Sequence, residues 1–469
     1  MTQRVDRFLD TVVTPGFCVG CGACAALEGS PLEMKLGSDG RFRPSLRPDG
    51  EGAFEARFEE VCPFAARINE DDIARARLDG DGTQADERLG TFRQLVAGHV
   101  EVGPYREAGS SGGMTTWFIA KLLEDDLVDA VLHVQPQPDD SRLFAYAISQ
   151  ATTDVVERAK TRYYPVEMSE VLTHVRETPG RYAVVGLPCF IKAVRLLQAE
   201  HPVFAERVRY CVGLVCGHLK SSRFAEALAW EAGVAPEELK HLEFRAKNDV
   251  AADAYDVVAV GEDGAEKRRR SSSLLVSDWG MGMFKYRACD FCDDVTAETA
   301  DVSFGDAWLP EFTSDARGAN IAIVRSQDAQ DVVAAHHAEL SVQDMTPDAI
   351  ARSQAAGLRH RREGLAYRLA KAEAAGERTP RKRVQPSNQL PKRRATIYDQ
   401  RTAFIDLADV HFREAIDARH WGHFEQSMKP HVERYREIYA ASSPLKAWVK
   451  RRLPMLFSSM KRLKHALRR

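Results

Sequence analysis

The chain has 469 residues and a formal net charge of −3, with 44% hydrophobic and 28% charged residues. These values are ordinary for a globular protein. They exclude a disordered chain, a collagen-like fibre and a disulfide-rich miniprotein. The near-neutral charge gives no case for nucleic-acid binding, and the length predicts about three domains.

The charge is unevenly distributed along the chain. Residues 376–469 hold 22 Lys or Arg and 9 Asp or Glu, a net charge of +13, which leaves −16 on the rest. No apolar stretch is long enough for a transmembrane helix, and residues 1–16 lack the apolar core of a signal peptide. We therefore expect a cytoplasmic protein, whose reduced cysteines serve as metal ligands or catalytic groups.

The cysteines are the most informative residues, and they fall in clusters. They are Cys18, Cys21, Cys24, Cys62, Cys189, Cys211, Cys216, Cys289 and Cys292. The run at 18–24 resembles the opening of a bacterial ferredoxin motif, whose last cysteine precedes a proline, as Cys62 does here. Gly20 and Gly22 let this run wrap closely. We predict one [4Fe–4S] cluster, with zinc as the alternative. Its ligands, the first set, would be Cys18, Cys21, Cys24 and Cys62.

Residues 89–327 alternate short apolar segments with amphipathic ones, which predicts an α/β fold with a substantially parallel sheet. Strands are predicted at 130–134, 182–185, 212–215, 256–260 and 320–324. Helices are predicted at 114–124, 191–200, 222–231 and 328–336.

Four of the remaining cysteines form a second set. Cys189 and Cys216 each follow a predicted strand, and the carboxyl ends of such strands line the functional crevice of an open α/β sheet. Cys289 and Cys292 form a local pair. The four thiols could meet at a second metal centre, or they could be unrelated buried cysteines. Cys211 lies near the start of its strand and is expected to be structural.

Two further segments have the composition of a cofactor site. The Ser-Ser-Gly-Gly loop at 110–113 precedes a predicted helix, a pattern that can cradle a phosphate, although Ser111 could simply cap the helix. The basic and aromatic run at 160–165 could bind an anionic cofactor and stack on a ring, or it could be an exposed turn. Asp306 follows a predicted strand end, where a structural turn is the alternative.

As an ordered set, these segments resemble the coenzyme F420 hydrogenase/dehydrogenase beta-subunit family. This family includes proteins similar to 7-hydroxymethyl chlorophyll a reductase and to divinyl chlorophyllide vinyl reductase. The matching segments are 18–24, 110–113, 160–165, 186–189, 216–218, 289–292, 300–308 and 318–325. The first set supplies one cluster's ligands where many relatives have two clusters' worth, and the region after Leu340 has no counterpart in the shared core.

The resemblance implies an FAD-dependent iron–sulfur oxidoreductase. By resemblance, the flavin contacts would be Ser110, Ser111, Gly112, Gly113, Thr115, Lys160, Arg162 and Tyr163. The second set would bind a [4Fe–4S] cluster close to the flavin, through Cys189, Cys216, Cys289 and Cys292. Electrons would pass from a donor such as ferredoxin or a reduced deazaflavin through both clusters and FAD to an organic acceptor, or in reverse. Candidate proton donors are His218, Lys220 and Asp306, although His218 could equally be a satisfied core histidine.

The expected fold class is α/β, in three parts. They are a ferredoxin-like [4Fe–4S] module over 1–88, a core over 89–340 that binds FAD and a [4Fe–4S] cluster, and a basic helical extension over 341–469. Two other functions remain open on the sequence: a non-catalytic electron-transfer subunit of a larger redox complex, and an accessory protein of polysaccharide biosynthesis. A zinc-stabilised interaction protein is a third alternative.

The extension is predicted to be helical at 348–375 and 395–439, with a proline-containing linker at 379–394 between them. Residues 445–469 hold nine Lys or Arg and no Asp or Glu, with apolar residues near helical spacing. Such a basic amphipathic helix would lie on the inner face of a membrane, or it would dock on the acidic body or on a partner subunit.

Overall fold

The structure is a computed structural model. It describes residues 2–48, 57–137 and 142–440. The chain divides into two compact units, Met1–Trp279 with Phe284–Asn388, and Gly280–Met283 with Gln389–Arg469. The amphipathic helix predicted at 445–469 lies outside the described residues, and the three-part division stays a prediction. Within the described ranges, no helix combines the length and the apolar character needed to cross a membrane.

Fifteen strands are present in the part of the chain that the structure describes. They are β1 Leu32–Leu36, β2 Phe42–Leu46, β3 Gln84–Asp86, β4 Gly90–Phe92, β5 Gln94–Val100, β6 Ala130–Pro136, β7 Phe144–Ser149, β8 Tyr182–Gly186, β9 Val208–Leu214, β10 His241–Ala246, β11 Asp256–Val260, β12 Glu266–Arg270, β13 Val302–Asp306, β14 Asn320–Val324 and β15 Leu340–Asp344. Eight of them form one sheet in the order β15-β5-β14-β13-β9-β8-β6-β7.

Helices cover much of the remaining chain. They are α1 Thr2–Phe8, α2 Phe58–Val61, α3 Glu70–Arg77, α4 Tyr105–Ala108, α5 Met114–Glu124, α6 Thr152–Glu157, α7 Ser169–Glu177, α8 Pro188–Glu200, α9 Pro202–Arg207, α10 Ser222–Ala232, α11 Pro310–Thr313, α12 Gln327–Ala335, α13 Pro347–Ser353, α14 Ala355–Arg361, α15 Glu363–Ala374, α16 Lys392–Ala418 and α17 Trp421–Ala440. A π-helical turn at Leu9–Val13 and short 3-10 turns, one of them at Arg287–Phe291, complete the elements.

The α/β prediction is confirmed, but the large sheet is mixed. Its central strands β13, β9, β8 and β6 pair in parallel. The outer pairings, β13 with β14, β14 with β5, β5 with β15 and β6 with β7, are antiparallel. The prediction of a substantially parallel sheet is therefore correct only for the centre. Consecutive strands such as β6 and β7 are joined by connections too short for the crossover that a parallel pair needs.

The predicted helices and strands of the body are confirmed, with small shifts at their ends. The region predicted as one helix at 348–375 is three helices, α13 to α15, because Gln354 and Arg362 leave the helical conformation. The linker at 379–394 is irregular up to Lys392. The region predicted at 395–439 is the pair α16 and α17, joined at Arg419, which has a positive φ of 50°.

Strands β5 and β14 bury side chains on both faces of the sheet. Alternate residues Val96, Ala322 and Val324 lie in one apolar cluster, which includes Trp117 and Phe118 of α5. Their neighbours, among them Leu95, Ile321 and Ile323, lie in a second cluster with Ile350 of α13. Because the side chains of a strand alternate between faces, helices cover the sheet on both sides, and the carboxyl edge of the parallel strands is left to build a site.

The first part of the chain packs on the body of the first unit. Strands β1 and β2 form an antiparallel hairpin. The Phe42 amide of β2 donates to the Tyr286 hydroxyl oxygen at 3.1 Å, and the Ser222 amide donates to the Gly40 carbonyl at 2.9 Å. These contacts fix the hairpin that follows the cysteines at 18–24 along the chain.

Strand β5 was absent from the sequence prediction because Gly98 interrupts its apolar pattern. A Cβ atom on Gly98 would lie 1.9 Å from the Ser341 carbonyl oxygen of β15. We expect Gly98→Ala to reduce the free energy of unfolding by about 1–3 kcal/mol, because a backbone atom must move to admit the methyl group.

Gly357→Ala is the matched control. Its Cβ would meet only the Val295 side chain, at 3.4 Å and beyond, and it lies inside α14, where alanine favours the helix. Thermal and urea unfolding of both variants measure the difference. Equal stability of Gly98→Ala and the unmodified chain would contradict this account of the close approach of β5 and β15.

Candidate cofactor and cluster sites

The structure brings the first set of cysteines together. Burial has the largest effect on Cys24 and raises its pKa. The pKa would be raised further by ionisation of Cys21, Cys18 or Cys62, which lie close to it. Burial raises the pKa of Cys18 to about 12 and that of Cys62 to about 11. Cys21, Cys24 and Cys62 are buried, whereas Cys18 keeps partial exposure. Four thiolates are therefore unfavourable here without a bound cation, which holds coordinating thiols deprotonated.

The backbone around the first set requires glycine at two positions. Gly20 has φ +70°, and a Cβ there would lie 2.9 Å from the Phe42 carbonyl oxygen. Gly22 has φ +86°, and a Cβ there would lie 2.6 Å from Glu167 Oε2. The Met168 amide nitrogen, also 3.0 Å from that Cβ, donates to the Cys21 carbonyl at 3.0 Å. The loop thus lies against the body of the unit, as its two glycines allow.

The second set is also assembled in the fold. Cys189 is the second residue of α8 and Cys216 follows β9, while Cys289 and Cys292 lie in and just after the 3-10 turn Arg287–Phe291. Burial, and after it Cys292, Cys216 and Cys289, raise the pKa of Cys189. Cys21 of the first set acts on Cys189 in the same direction, so the two sets adjoin.

The donor atoms of both sets fit an iron–sulfur cluster. None of the cysteines forms a disulfide. Backbone amides point at sulfur in both sets: Gly20 donates to Cys18 Sγ at 3.4 Å and Leu219 donates to Cys289 Sγ at 3.2 Å. Such N–H···S contacts are among the groups that tune iron–sulfur clusters. Among the described residues, no three His, Cys, Asp or Glu side chains are grouped so as to hold a single metal ion.

Cys211 stands apart from both sets. It is buried in β9, where its amide donates to Asp301 Oδ2 at 2.6 Å. The charged groups that act on its thiol are Arg195, Asp301 and Arg77. This environment agrees with the structural role expected for Cys211.

A cleft of about 270 Å³ opens at the carboxyl edge of the parallel strands, where an open α/β sheet binds its ligand. Of the predicted flavin contacts, all but Gly112 line it. All three candidate proton donors, His218, Lys220 and Asp306, also line it, as does Cys216 of the second set. The cleft therefore joins the predicted cofactor segments to a predicted cluster ligand.

The loop at 110–113 is fixed by hydrogen bonds to neighbouring segments. Ser111 Oγ donates to the Ala319 carbonyl at 2.9 Å, and Asn320 Oδ1 accepts from the Met114 amide at 3.1 Å. The alternative in which Ser111 caps α5 is therefore wrong. Gly112 lies where a Cβ would come within 2.8 Å of the Asn320 amide nitrogen, which leaves room only for glycine.

The basic and aromatic run at 160–165 joins this loop, because the Thr161 amide donates to Ser110 Oγ at 2.9 Å. Lys160 has φ +117°, a strained value for a lysine, and pairs with Glu243 at 2.8 Å. Burial lowers the pKa of Arg162 to about 10. The Tyr163 ring packs 4.7 Å from the Trp279 ring. The run is thus part of the cleft wall rather than an exposed turn.

His218 and Lys220 face the same aromatic group. The His218 ring lies 4.4 Å from the Trp279 ring. Its Nε2 atom is buried and has no hydrogen-bond partner among the described residues, so the satisfied core histidine is not what the structure shows. Lys220 Nζ lies 4.3 Å from the Phe224 ring centroid. Burial lowers the pKa of both side chains.

Asp306 is held by a residue that the sequence did not single out. Arg245 donates to both of its carboxylate oxygens, at 2.7 and 2.9 Å. Trp279 and Arg361 were also missed. Arg361 is about 2% exposed and donates to Cys292 Sγ at 2.7 Å. Isolated residues of this kind carry no spacing signal in a single sequence; only their contacts in the fold distinguish them.

Comparison with known families identifies two models that match the chain. The model for the N-terminal part of the coenzyme F420 hydrogenase/dehydrogenase beta subunit matches residues 95–173, and the model for its C terminus matches residues 180–348. The chain belongs to this family. Together the two models cover more than half of the chain. Membership in the coenzyme F420 hydrogenase/dehydrogenase beta-subunit family points to an F420-related oxidoreductase.

Two similar proteins bear the coenzyme's name. The chain is 25% identical over 340 residues to the coenzyme F420-dependent sulfite reductase of Methanocaldococcus jannaschii, a match covering 69% of this chain and 46% of that protein. The chain thus spans about half the length of this relative. A subunit of the F420-reducing [NiFe] hydrogenase complex of Methanosarcina barkeri, solved as a xenon derivative, aligns with a TM-score of 0.49 and 17% identity, over 64% of this chain and 98% of that one.

His133, which lines the cleft, should make stability depend on pH. Burial, and then the Arg158 charge, lower its pKa from 6.5 to about 4, and its Nε2 lies 2.7 Å from Ser149 Oγ. Because the folded state disfavours the protonated ring, this contribution is complete above pH 6.5 and is lost as the pH falls toward 4. Between pH 7 and pH 5 the loss amounts to at most about 2 kcal/mol.

The variant His133→Gln keeps a partner for Ser149 but does not titrate. Urea unfolding at pH 7, 6 and 5 should therefore show a smaller decline for this variant than for the unmodified chain. Parallel declines in the two proteins would show that His133 is not held neutral by the fold.

Proposed function

We propose that the chain is an FAD-dependent iron–sulfur oxidoreductase that holds one [4Fe–4S] cluster at each cysteine set. One observation carries the proposal: two sets of four thiols, buried except for Cys18 and Cys189, adjoin each other, and the second set adjoins a cleft lined by the predicted flavin contacts. An isolated set of cysteines would suit a structural metal as well. Two adjoining sets beside a cleft lined by the predicted flavin contacts favour electron transfer.

The order of the three sites follows from individual residues. The two sets adjoin at Cys21 and Cys189, because an ionised Cys21 would raise the pKa of Cys189. Cys216 belongs to the second set and also lines the cleft. Cys18 of the first set and Cys189 of the second set are both partly exposed, so exposure does not fix the order. Because the cleft is lined by Cys216 and by no described cysteine of the first set, the proposed order places the acceptor at the cleft and the donor at the first set.

When bound, the clusters would supply one-electron transfer, and FAD would store two electrons and exchange them as hydride. The residues of this chain would hold and shield these groups. The loop at 110–113 offers small residues where a phosphate would lie, and Arg162 adds a positive charge to the cleft wall. His218 presents its buried Nε2 atom and Lys220 lies beside it. Because burial lowers the pKa of both side chains, each would take up a proton for the acceptor when negative charge develops beside it.

The proposed donor is a ferredoxin-type protein or a reduced deazaflavin, and the proposed acceptor is an organic molecule. The Methanocaldococcus jannaschii relative supports a deazaflavin donor, because its name includes coenzyme F420. The chain covers 46% of that relative, which favours a partner subunit that supplies further functions. A subunit that only passes electrons would bind the same groups but would reduce no acceptor by itself.

The assignment of the second set is tested by Cys289→Ser. The chain purified without oxygen should contain about eight irons, from two four-iron clusters. Cys289→Ser should reduce the iron content by about half, because one cluster loses a ligand. Cys211→Ser is the matched control, a buried cysteine outside both sets, and should keep its full iron content. Full iron content in Cys289→Ser, or zinc in place of iron, would contradict the assignment.

The flavin site is tested by Gly113→Ala. Gly113 has φ +84°, and a Cβ there would lie 2.6 Å from the Tyr105 carbonyl oxygen, so the substitution should distort the loop at 110–113 and lower the FAD content at least several-fold. The control Gly264→Ala changes a glycine that also has a positive φ, at +73°, but has no atom within 4 Å of the added Cβ. HPLC of the released flavin gives the content. Equal FAD in both variants, or none in the unmodified chain, would reject the site.

A further inference from the structure

Arg361, the last residue of α14, lies against the second set and forms no ion pair with a described carboxylate. Its guanidinium donates to Cys292 Sγ at 2.7 Å, to the Asp294 carbonyl at 2.9 Å, and to the carbonyls of Cys216 and Gly217 at 2.9 and 2.6 Å. Within the described residues, no carboxylate is within ion-pair distance of it, and its buried Nε has no hydrogen-bond partner.

A buried guanidinium is unfavourable unless an anion or a set of hydrogen bonds compensates it. Two buried arginines of the first unit have a carboxylate partner, whereas Arg325 donates to backbone carbonyls instead. Arg195 pairs with Asp301 at 2.9 Å, and Arg245 pairs with Asp306 at 2.7 Å. For Arg361 the groups that favour its charge are first the thiols of Cys292, Cys216 and Cys289 and then the Asp294 carboxylate, and its hydrogen bond goes to Cys292 Sγ. Four thiolates on a [4Fe–4S] core form a net anion, which is the partner that this site lacks.

The charges near the first set are arranged differently. The positive charge of Arg43 partly offsets the rise that burial causes in the pKa of Cys18, and Lys192 does the same for Cys62. Arg43 is itself paired with Asp39 at 2.5 Å, and Lys192 is paired with Glu70 at 3.0 Å. Their positive charges are therefore largely compensated, whereas the charge of Arg361 is directed at a sulfur of the second set.

We propose that Arg361 is a positioning residue that raises the reduction potential of the second-set cluster relative to the first. The proposal rests on the proposed function, because it needs a cluster at the second set. Reduction adds a negative charge to a cluster, and a fixed positive charge beside its ligand favours that state. Electrons arriving at the first set would thereby be drawn toward the cleft. Arg361 lies beyond residue 348, where the family match ends.

The test compares three variants at this position. Arg361→Met removes the charge and the hydrogen bonds, Arg361→Gln removes the charge but keeps a donor, and Arg361→Lys keeps the charge but loses the planar fork. Arg325→Met is the matched control, because Arg325 is equally buried and donates to the carbonyls of Leu89, Thr91 and Thr296 but to no sulfur.

The readout is the midpoint potential of each cluster, from EPR-monitored redox titration of the anaerobically purified chain. The second-set signal is the one that Cys289→Ser removes. Arg361→Met and Arg361→Gln should disfavour its reduction at least tenfold, a shift of about 59 mV for one electron. Arg361→Lys should stay within tenfold of the unmodified chain. The first-set signal should not move in any variant, and Arg325→Met should leave both potentials unchanged.

Two results would overturn the proposal. One is a second-set potential in both uncharged variants that stays within tenfold of the unmodified chain. The other is loss of the second-set cluster from both uncharged variants, because Arg361 would then retain the cluster rather than set its potential. An unmodified chain with only one cluster signal is a separate outcome that rejects the proposed function itself.

Discussion

The cost of ionising sulfur atoms that are buried close together is the constraint on which the site depends. Burial, and after it Cys21, Cys18 and Cys62, raise the pKa of Cys24, and burial and the other thiols of the second set do the same to Cys189. Neutral thiols are stable in such surroundings, but thiolate ligands are unfavourable unless a cation binds them. In the proposed function, two anionic clusters would be enclosed by the cysteine loops, the strand ends and Arg361.

Buried ion pairs connect the segments that surround the two cysteine sets. Lys192 of α8 pairs with Glu70 of α3, and the irregular segment after α15 contributes Arg383, which pairs with Glu298 at 2.6 Å. Lys285 and Asp290, both about 1% exposed on their side chains, pair at 2.5 Å beside Cys289. Breaking a buried pair is costly, so such pairs fix one arrangement of the chain. These pairs hold together, around the second set, segments that are far apart in sequence.

The sequence predicted the parts of this structure that repeat or that have fixed spacing. The apolar segments at 256–260 and 320–324 are strands at those bounds, and 114–124 is a helix. Cys189 and Cys216 were placed at strand ends, which is how the fold brings them to Cys289 and Cys292. Strand β5 was missed because Gly98, which its close approach to β15 requires, breaks the strand pattern.

The rest of the site depends on contacts between segments that no local pattern encodes. Arg361 lies outside the family match and has no spacing relation to the cysteines, yet it donates to Cys292 Sγ. Arg245, from the smaller β10–β12 sheet, holds Asp306 at the end of β13. The mixed edges of the large sheet likewise depend on which connections are short. These features follow from the packed chain rather than from its periodicity.

The central claim is that one chain holds two clusters and a flavin in adjoining sites. The most direct measurement is a reductive titration of the chain purified without oxygen, followed by its visible spectrum. The account predicts uptake of about four electrons per chain, one for each cluster and two for the flavin, with bleaching of both iron–sulfur and flavin absorption. A colourless chain, or uptake of two electrons or fewer, would contradict it.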